Sequence, residues 1–363
     1  MPGGKEKKKR ITIRDIANAV GIAPSSVSKA LNDLPTISEN MKTLVRAKAR
    51  ELNYKHNSNA ANLRRGTSRT IGVIDPKINV AFFADIIAGI EQACFENDHR
   101  LIICQSDESF EREVQAVETL IQQNVDCVLI SLSQETKTTD HLKEITNHNI
   151  QLVQFDRVDH TFGSHILVND NLEASFKAVQ HLISQGYKRI AFFGGPDHLP
   201  LYKERKQGYL DAIRKAGLTI PYNFIVDNML KKEPARTAAT ELLRLKVAPD
   251  AFFTVSDYAA LGVLKAAQDC GKKVPEEIGI IGFSNEAFTE VTSPTLSSVS
   301  QQSKKMGRET ANVYFNHVLN PGADGKSSHS LKLVIESSII ERESSVRKIK
   351  NGLKKKATAV NRE

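Results

Sequence analysis

Residues 12–32 read TIRDIANAVGIAPSSVSKALN, and the spacing inside that stretch decides what the head of the chain is. Thr12 suits an N-cap, with Asp15 three positions on in the aspartate version of a capping box. Ile16, Ala17 and Val20 share one helical face, and Gly21 ends the helix. Pro24 suits the first turn of a second helix, whose apolar side is Val27, Ala30 and Leu31. Ser25, Ser26, Ser28, Lys29 and Asn32 are then left facing outward. Two short helices joined through a glycine turn form the helix-turn-helix pattern, whose second helix lies in the major groove of DNA. Hydroxyl, amide and ammonium groups there donate to phosphates and base edges. Thr12, Ser25, Ser26, Ser28, Lys29 and Asn32 are therefore the candidate DNA contacts of the head. A third helix from about Glu39 to Asn53 is expected to close the small core with Leu44, Ala47, Ala49 and Leu52. A plain three-helix bundle would share this local pattern, and charge separates the two readings.

Residues 1–66 hold 14 Lys and Arg against 5 Asp and Glu, a net of +9. Residues 344–363 carry a net of +6, and the 277 residues between carry a net of −7. A basic head on a mildly acidic body is the footprint of a nucleic-acid-binding module joined to something else. Residues 344–363 read instead as a solvated basic tail, since KNGLKKKATAVNRE offers little to fold around. With 363 residues the chain is too long for one ordinary core and suits about two or three domains. The basic N-terminus has no apolar stretch after it, so it is not a secretory signal. No run approaches the roughly 18 apolar residues of a membrane span, so a cytoplasmic protein without membrane contact is expected. Cys94, Cys104, Cys127 and Cys270 form no CxxC pair and fall in apolar-periodic segments, which suits buried reduced thiols. The histidines are scattered, with His141 and His148 read on polar helix surface. No metal, cofactor or catalytic residue is assigned.

From Thr70 onward, apolar strands alternate with amphipathic helices. Strands are read at TIGVID, RLIICQS, VDCVLISL, IQLVQFD, RIAFFGG, PDAFFTV and IGIIGF. Helices are read at 82–97, 111–123, 171–185, 201–217, 233–245 and 257–269. Repeated βα units give parallel sheets covered on both faces, and this much chain suits two successive α/β lobes. Ligands of such sheets bind beyond the carboxyl ends of the strands. The residues found there are Phe82, Phe83, Asp156, Arg157, Arg205, Asp257, Ser284, Asn285 and Gln301. Carboxylate, guanidinium and amide groups beside an aromatic face suit a polyol or sugar.

TIRDIANAVGIAPSSVSKALN, then ELNY, then AANLRRGTSRTIGV resemble the LacI/GalR family of bacterial transcription regulators, from about Thr12 to about Arg342. The resemblance implies an all-α helix-turn-helix head at 1–57 and a hinge helix and linker at 58–67. It further implies an α/β, two-lobed, periplasmic-binding-protein-like sensor with parallel sheets at 68–343. The N-lobe would take about 68–167 and 301–329, and the C-lobe about 168–300 and 330–343, with three crossovers between. In that family Pro24, Ser25 and Lys29 lie on the recognition helix, and Leu63 matches the leucine that paired subunits press into the minor groove. Ala60 would face the groove floor and leave room for close approach. An apolar wedge unstacks a base step and yields a kinked duplex that touches more protein. Each cleft residue falls on an effector-pocket position of the family. Ala23, His56, Ser256 and Ser284 depart from the family's usual residues, which leaves operator and effector open.

The function this implies is a ligand-responsive repressor that binds a pseudo-palindromic double-stranded operator as a homodimer and senses a sugar. A nucleobase corepressor is the alternative within the family, since an aromatic pair at 82 and 83 permits either. An enzyme on the same framework is the rival class. FFGGPD has two glycines after a strand but neither a GxGxxG nor a P-loop pattern, and the head would have no job in such an enzyme.

Overall fold

The computed structural model describes residues 11–54, 67–319 and 330–347. They fall into two compact units that divide after Ser68. The first unit comprises α1 (Ile13–Val20), α2 (Pro24–Leu31) and α3 (Glu39–Glu51). Both the backbone N–H and the hydroxyl of Thr12 donate to Asp15 Oδ2, at 2.8 Å each, which starts α1 as the capping pattern expects. Gly21 ends α1 in the left-handed region at φ 74°, its N–H donating to the Ala17 carbonyl. Ile16, Ala17, Val27, Ala30, Val45 and Ala49 form the core. The third helix carries a correction. Leu44 is 51% exposed and Ala47 is also exposed, while Met41, Val45, Ala49 and Leu52 face inward. Its apolar stripe begins at Met41 and repeats at four, eight and eleven residues, so the expected set was partly out of phase with the 3.6-residue turn.

The second unit opens with β1 (Thr70–Asp75), α4 (Ala81–Glu96), β2 (Arg100–Gln105), α5 (Phe110–Gln122), β3 (Cys127–Ile130), α6 (Asp140–Asn147), β4 (Gln151–Phe155) and β5 (His165–Asn169). It continues with α7 (Asn171–Ser184), β6 (Ile190–Phe193), α8 (Pro200–Lys215), β7 (Ile225–Val226), α9 (Lys232–Leu243), β8 (Ala251–Thr254), α10 (Asp257–Asp269), β9 (Gly279–Phe283) and β10 (Ser297–Ser300). The last regular elements are α11 (Ser303–Val313), β11 (Lys332–Ile335) and β12 (Ser338–Ile340). Two six-stranded sheets result, ordered β11-β5-β4-β3-β1-β2 and β12-β10-β9-β8-β6-β7. All pairings are parallel except β10 with β12. The inner strands β1, β3, β4, β6, β8 and β9 are apolar and largely buried because helices cover both faces of each sheet.

The chain crosses between lobes at about 170, 301 and 336. Two expected boundaries move accordingly. β11 pairs with β5 in the first sheet, so residues 332–335 belong to the N-lobe and not to the C-lobe. Ser344 and Ser345 are fully buried in the C-lobe, Ser344 Oγ donating to the Ile280 carbonyl, and the Arg347 guanidinium lies 3.7 Å from the Tyr187 ring centre. The solvated tail therefore cannot begin at 344. Residues 348–363, like the proposed hinge at 58–66 with Ala60 and Leu63, lie outside the described residues. His141 also differs from expectation. It is buried in α6, with Nε2 2.9 Å from Glu113 Oε1, on a carboxylate to which Ser133 and Thr136 donate.

Candidate functional site

Side chains from the carboxyl ends of strands in both sheets meet between the lobes. The backbone marks the place: Asp156 follows β4 at φ 57°, Ser284 and Asn285 follow β9 at 113° and 54°, and Gln302 follows β10 at 51°. Left-handed backbone on non-glycine residues costs on the order of 1–3 kcal/mol each and clusters at functional sites.

On the N-lobe side, Arg157 Nη1 donates to Glu108 Oε2 at 2.6 Å and its guanidinium lies 5.5 Å from the Phe83 ring centre. Its Nε stands 4.0 Å from Asp156 Oδ2. Burial works against the charge on Arg157, but Tyr202, Glu108 and Asp156 outweigh it and raise its pKa. Burial raises the pKa of Asp156, and the positive charges of Arg157 and Arg205 oppose that rise. Asp156 thus feels a guanidinium from each lobe.

On the C-lobe side, Arg205 projects from α8 and is 3% exposed. Its Nε donates to Asn171 Oδ1 at 2.9 Å, its Nη1 donates to the Val255 carbonyl at 3.2 Å, and its plane lies 3.7 Å from the Phe283 ring centre. Burial pushes its pKa down to about 10, so it stays protonated at neutral pH. The crossovers form the floor. Gln301 Nε2 donates to Asn169 Oδ1 at 3.0 Å, Asn169 Nδ2 donates back to the Gln301 carbonyl and to that of Ile335, and Ser284 Oγ donates to Gln301 Oε1 at 3.2 Å. Asn169 therefore ties all three crossovers together.

Asp156, Arg205, Ser284 and Gln301 are brought together as expected. Phe82 and Phe83 sit edge to face in the N-lobe core, at 5.0 Å between ring centres, and both are buried. Asp257 and Asn285 have other engagements. Asp257 accepts from Ser298 Oγ at 2.6 Å and from the Glu286 N–H at 2.8 Å, and burial pushes its pKa up to about 7. Asn285 Oδ1 accepts from Arg342 Nη2, and its N–H donates to Ser298 Oγ. Both shape the loop that aims Glu286 at the Phe82 N–H across the lobes, at 3.4 Å. A second bridge at the cleft mouth runs from His198 Nε2 to the Gln134 carbonyl at 2.5 Å.

Asp75, Glu108, Asn169, Asn171, Tyr202 and Glu286 belong to this site and were not singled out in the sequence. Asp75 had a signal, since an acid ends the otherwise apolar strand TIGVID. Tyr202 had one too, lying one helical turn before Arg205.

In the head, Ser25 and Lys29 are exposed on α2, and Ser26, Ser28 and Asn32 are half-buried. Asn32 Nδ2 donates to the Ser28 carbonyl at 2.7 Å and so closes the helix end. Thr12 is exposed at the start of α1.

Residues 12–57 match the family of bacterial regulatory proteins, lacI family, and residues 179–345 match the periplasmic binding protein-like domain. The HTH-type transcriptional repressor CytR of Escherichia coli (strain K12) is 32% identical over 307 residues, which covers 84% of this chain and 89% of that protein. The chain belongs to the lacI family of bacterial regulatory proteins. As a member, it is a ligand-responsive, DNA-binding transcription regulator. The HTH-type transcriptional repressor PurR of Actinobacillus pleuropneumoniae serotype 3 (strain JL03) is 29% identical over 307 residues, covering 85% of this chain and 91% of that protein. Among solved structures, a complex of the transcriptional regulator CelR with cellobiose matches at TM-score 0.67 and 25% identity, covering 92% and 100% of the two chains. The lac repressor dimer bound to operator and the anti-inducer ONPF matches at TM-score 0.81 and 19% identity, covering 93% and 100%, which supports the fold. Among the described residues no helix is long and apolar enough to cross a membrane, and no cluster of His, Cys, Asp and Glu suits a metal ion.

Proposed function

We propose that this regulator is a dimeric repressor that binds a pseudo-palindromic operator through α2 and responds to a polyhydroxylated ligand, a sugar or sugar derivative, in the interlobe cleft. The observation that carries the ligand class is the buried Asp156 carboxylate with the Arg157 Nε 4.0 Å away on its own lobe and the buried Arg205 charge acting on it from the other. Charged donors and acceptors fixed at close quarters are what hydroxyl recognition requires. A nucleobase needs an aromatic face to stack on, whereas Phe82 and Phe83 are packed in the core and Arg157 lies over Phe83. That favours the polyol over the base.

Ser25 and Lys29 are the leading operator contacts, with Ser26 and Ser28 beside them. Leu63 and Ala60 complete the proposal as wedge and clearance in the minor groove. Ligand can shift operator affinity only by its differential affinity for two lobe arrangements, typically about 1–3 kcal/mol. The test measures operator binding by fluorescence anisotropy, with and without sugars chosen by a thermal-shift screen, for wild type and Arg205→Lys. Lysine keeps the charge but loses the planar fork that meets Asn171 and Val255. The expected outcome is a ligand response in wild type that is lost in the variant. A full response in Arg205→Lys would remove Arg205 from the pocket, and binding only of purines would replace the sugar reading.

A further inference from the structure

The cleft also holds a carboxyl outside the clamps already described. Asp75 is the last residue of β1 and is fully buried. Its Oδ1 accepts from the Lys77 N–H at 2.8 Å. Among the described residues, Oδ2 has no hydrogen-bond partner, and neither has Nε of Arg157, a side chain only 6% exposed. The two residues stand at the same end of the first sheet: β3 lies between β1 and β4, the Ser131 N–H donates to the Ile74 carbonyl and the Leu132 N–H to that of Arg157. Arg157 Nη1 is meanwhile spent on Glu108 and the Leu132 carbonyl.

Folded chains pair nearly all buried polar atoms, so the orphans at this end of the sheet call for an explanation. Asp75 Oδ2 is an acceptor and Arg157 Nε a donor, and Ser131 Oγ, just past β3 beside β1, is a third unpaired atom that can do either. A vicinal diol complements the first two, one hydroxyl donating its proton while the neighbouring oxygen accepts. An ammonium ligand would satisfy the carboxyl but offers nothing to an N–H donor. We propose that Asp75 is a specificity-determining ligand contact, its Oδ2 accepting from one hydroxyl of a vicinal diol while Arg157 Nε donates to the next oxygen. The assignment rests on the effector reading above and extends it by one residue and one functional group. Burial also pushes the Asp75 pKa up to about 7, so this carboxyl changes protonation near neutrality.

The test titrates the full-length protein calorimetrically with D-ribose, D-xylose, D-glucose, D-galactose, D-glucosamine and cellobiose. It compares wild type, Asp75→Ala, Asp75→Asn and Arg205→Lys, with circular dichroism melts to confirm folding. Asp75→Ala should weaken the tightest sugar at least tenfold. One monodeoxy analogue of that sugar should bind wild type and Asp75→Ala within twofold, because the lost hydroxyl and the lost carboxylate are partners. Should the alanine variant not fold, Asp75→Asn must weaken the same sugar at least threefold. If the folded Asp75 variants bind every sugar within twofold of wild type while Arg205→Lys is weakened, the Asp75 assignment falls and the effector reading stands. If the best ligand is instead an amino sugar such as D-glucosamine, with every deoxy analogue of its diol as tight, the diol falls. If no sugar binds wild type, both readings fall together.

Discussion

At the scale of single residues, the cleft trades stability for chemistry, and Asp75 makes the trade measurable. Its carboxyl titrates near 3.8 in an unfolded chain and is pushed by burial to about 7 in the folded one. Between those values the folded state holds more protons than the unfolded state, so stability falls as pH rises through that window. Above about pH 7 the full cost of a buried carboxylate is present, on the order of 1–4 kcal/mol for a shift of this kind. Asp75→Asn removes the charge at similar volume. We expect the variant to melt higher than wild type at pH 8, with an advantage more than about 1 kcal/mol larger than at pH 5. Parallel melting curves of the two proteins from pH 5 to 8 would show that Asp75 does not titrate in that range. Asp257, raised to about 7 by the same burial, bends the wild-type profile in the same direction, so the comparison rests on the difference between the proteins.

At the scale of elements, helices α4 and α11 cross on glycines. A Cβ at Gly89 would run into the Lys304 carbonyl oxygen, and one at Gly307 into that of Ile86. Both obstacles are backbone, so neither can swing aside. Gly89→Ala should separate the two helices and destabilise the body by about 1–3 kcal/mol, the usual cost of overpacking. A thermal melt monitored by circular dichroism checks this, and an unchanged melting temperature would mean that the crossing is looser than described. The same scale shows what the sequence made legible. Six body helices begin within one residue of the expected positions, because their apolar faces repeat at 3.6 residues and their ends fall at strand boundaries. α11 was not read, since SKKMGRETANV buries only a narrow face, with Met306, Gly307 and Thr310 inward among charges. β11 and β12 are short, and which sheet each joins depends on partners distant in sequence, which no local period encodes. The cleft was half legible for a related reason. Residues after a strand can be read one strand at a time, whereas Glu108 and Tyr202 acquire their meaning only from Arg157 and Asp156 beside them.

At the scale of the whole sensor body, the two lobes are held together by a few contacts that can break. Glu286 Oε1 accepts from the Phe82 N–H at 3.4 Å, and His198 Nε2 reaches the Gln134 carbonyl at the cleft mouth. Each joins a C-lobe side chain to N-lobe backbone, so neither survives lobe opening, whereas the Asn169 contacts at the crossovers lie on the pivot. Hydrogen bonds of this kind contribute roughly 0.5–1.5 kcal/mol each. Removing both by Glu286→Ala with His198→Ala should therefore disfavour the closed arrangement by about 1–3 kcal/mol. A ligand that binds the closed cleft must then offset that amount, and its apparent affinity falls in proportion to the closed fraction, by up to about 5- to 150-fold. Calorimetric titration of the double variant with the sugar selected for wild type measures the loss. Small-angle scattering gives an independent reading, because ligand should compact the double variant more than it compacts wild type. Unchanged affinity together with unchanged scattering would mean that these bridges do not govern closure. The response of the head would then have to come from rearrangement within the lobes rather than from their movement.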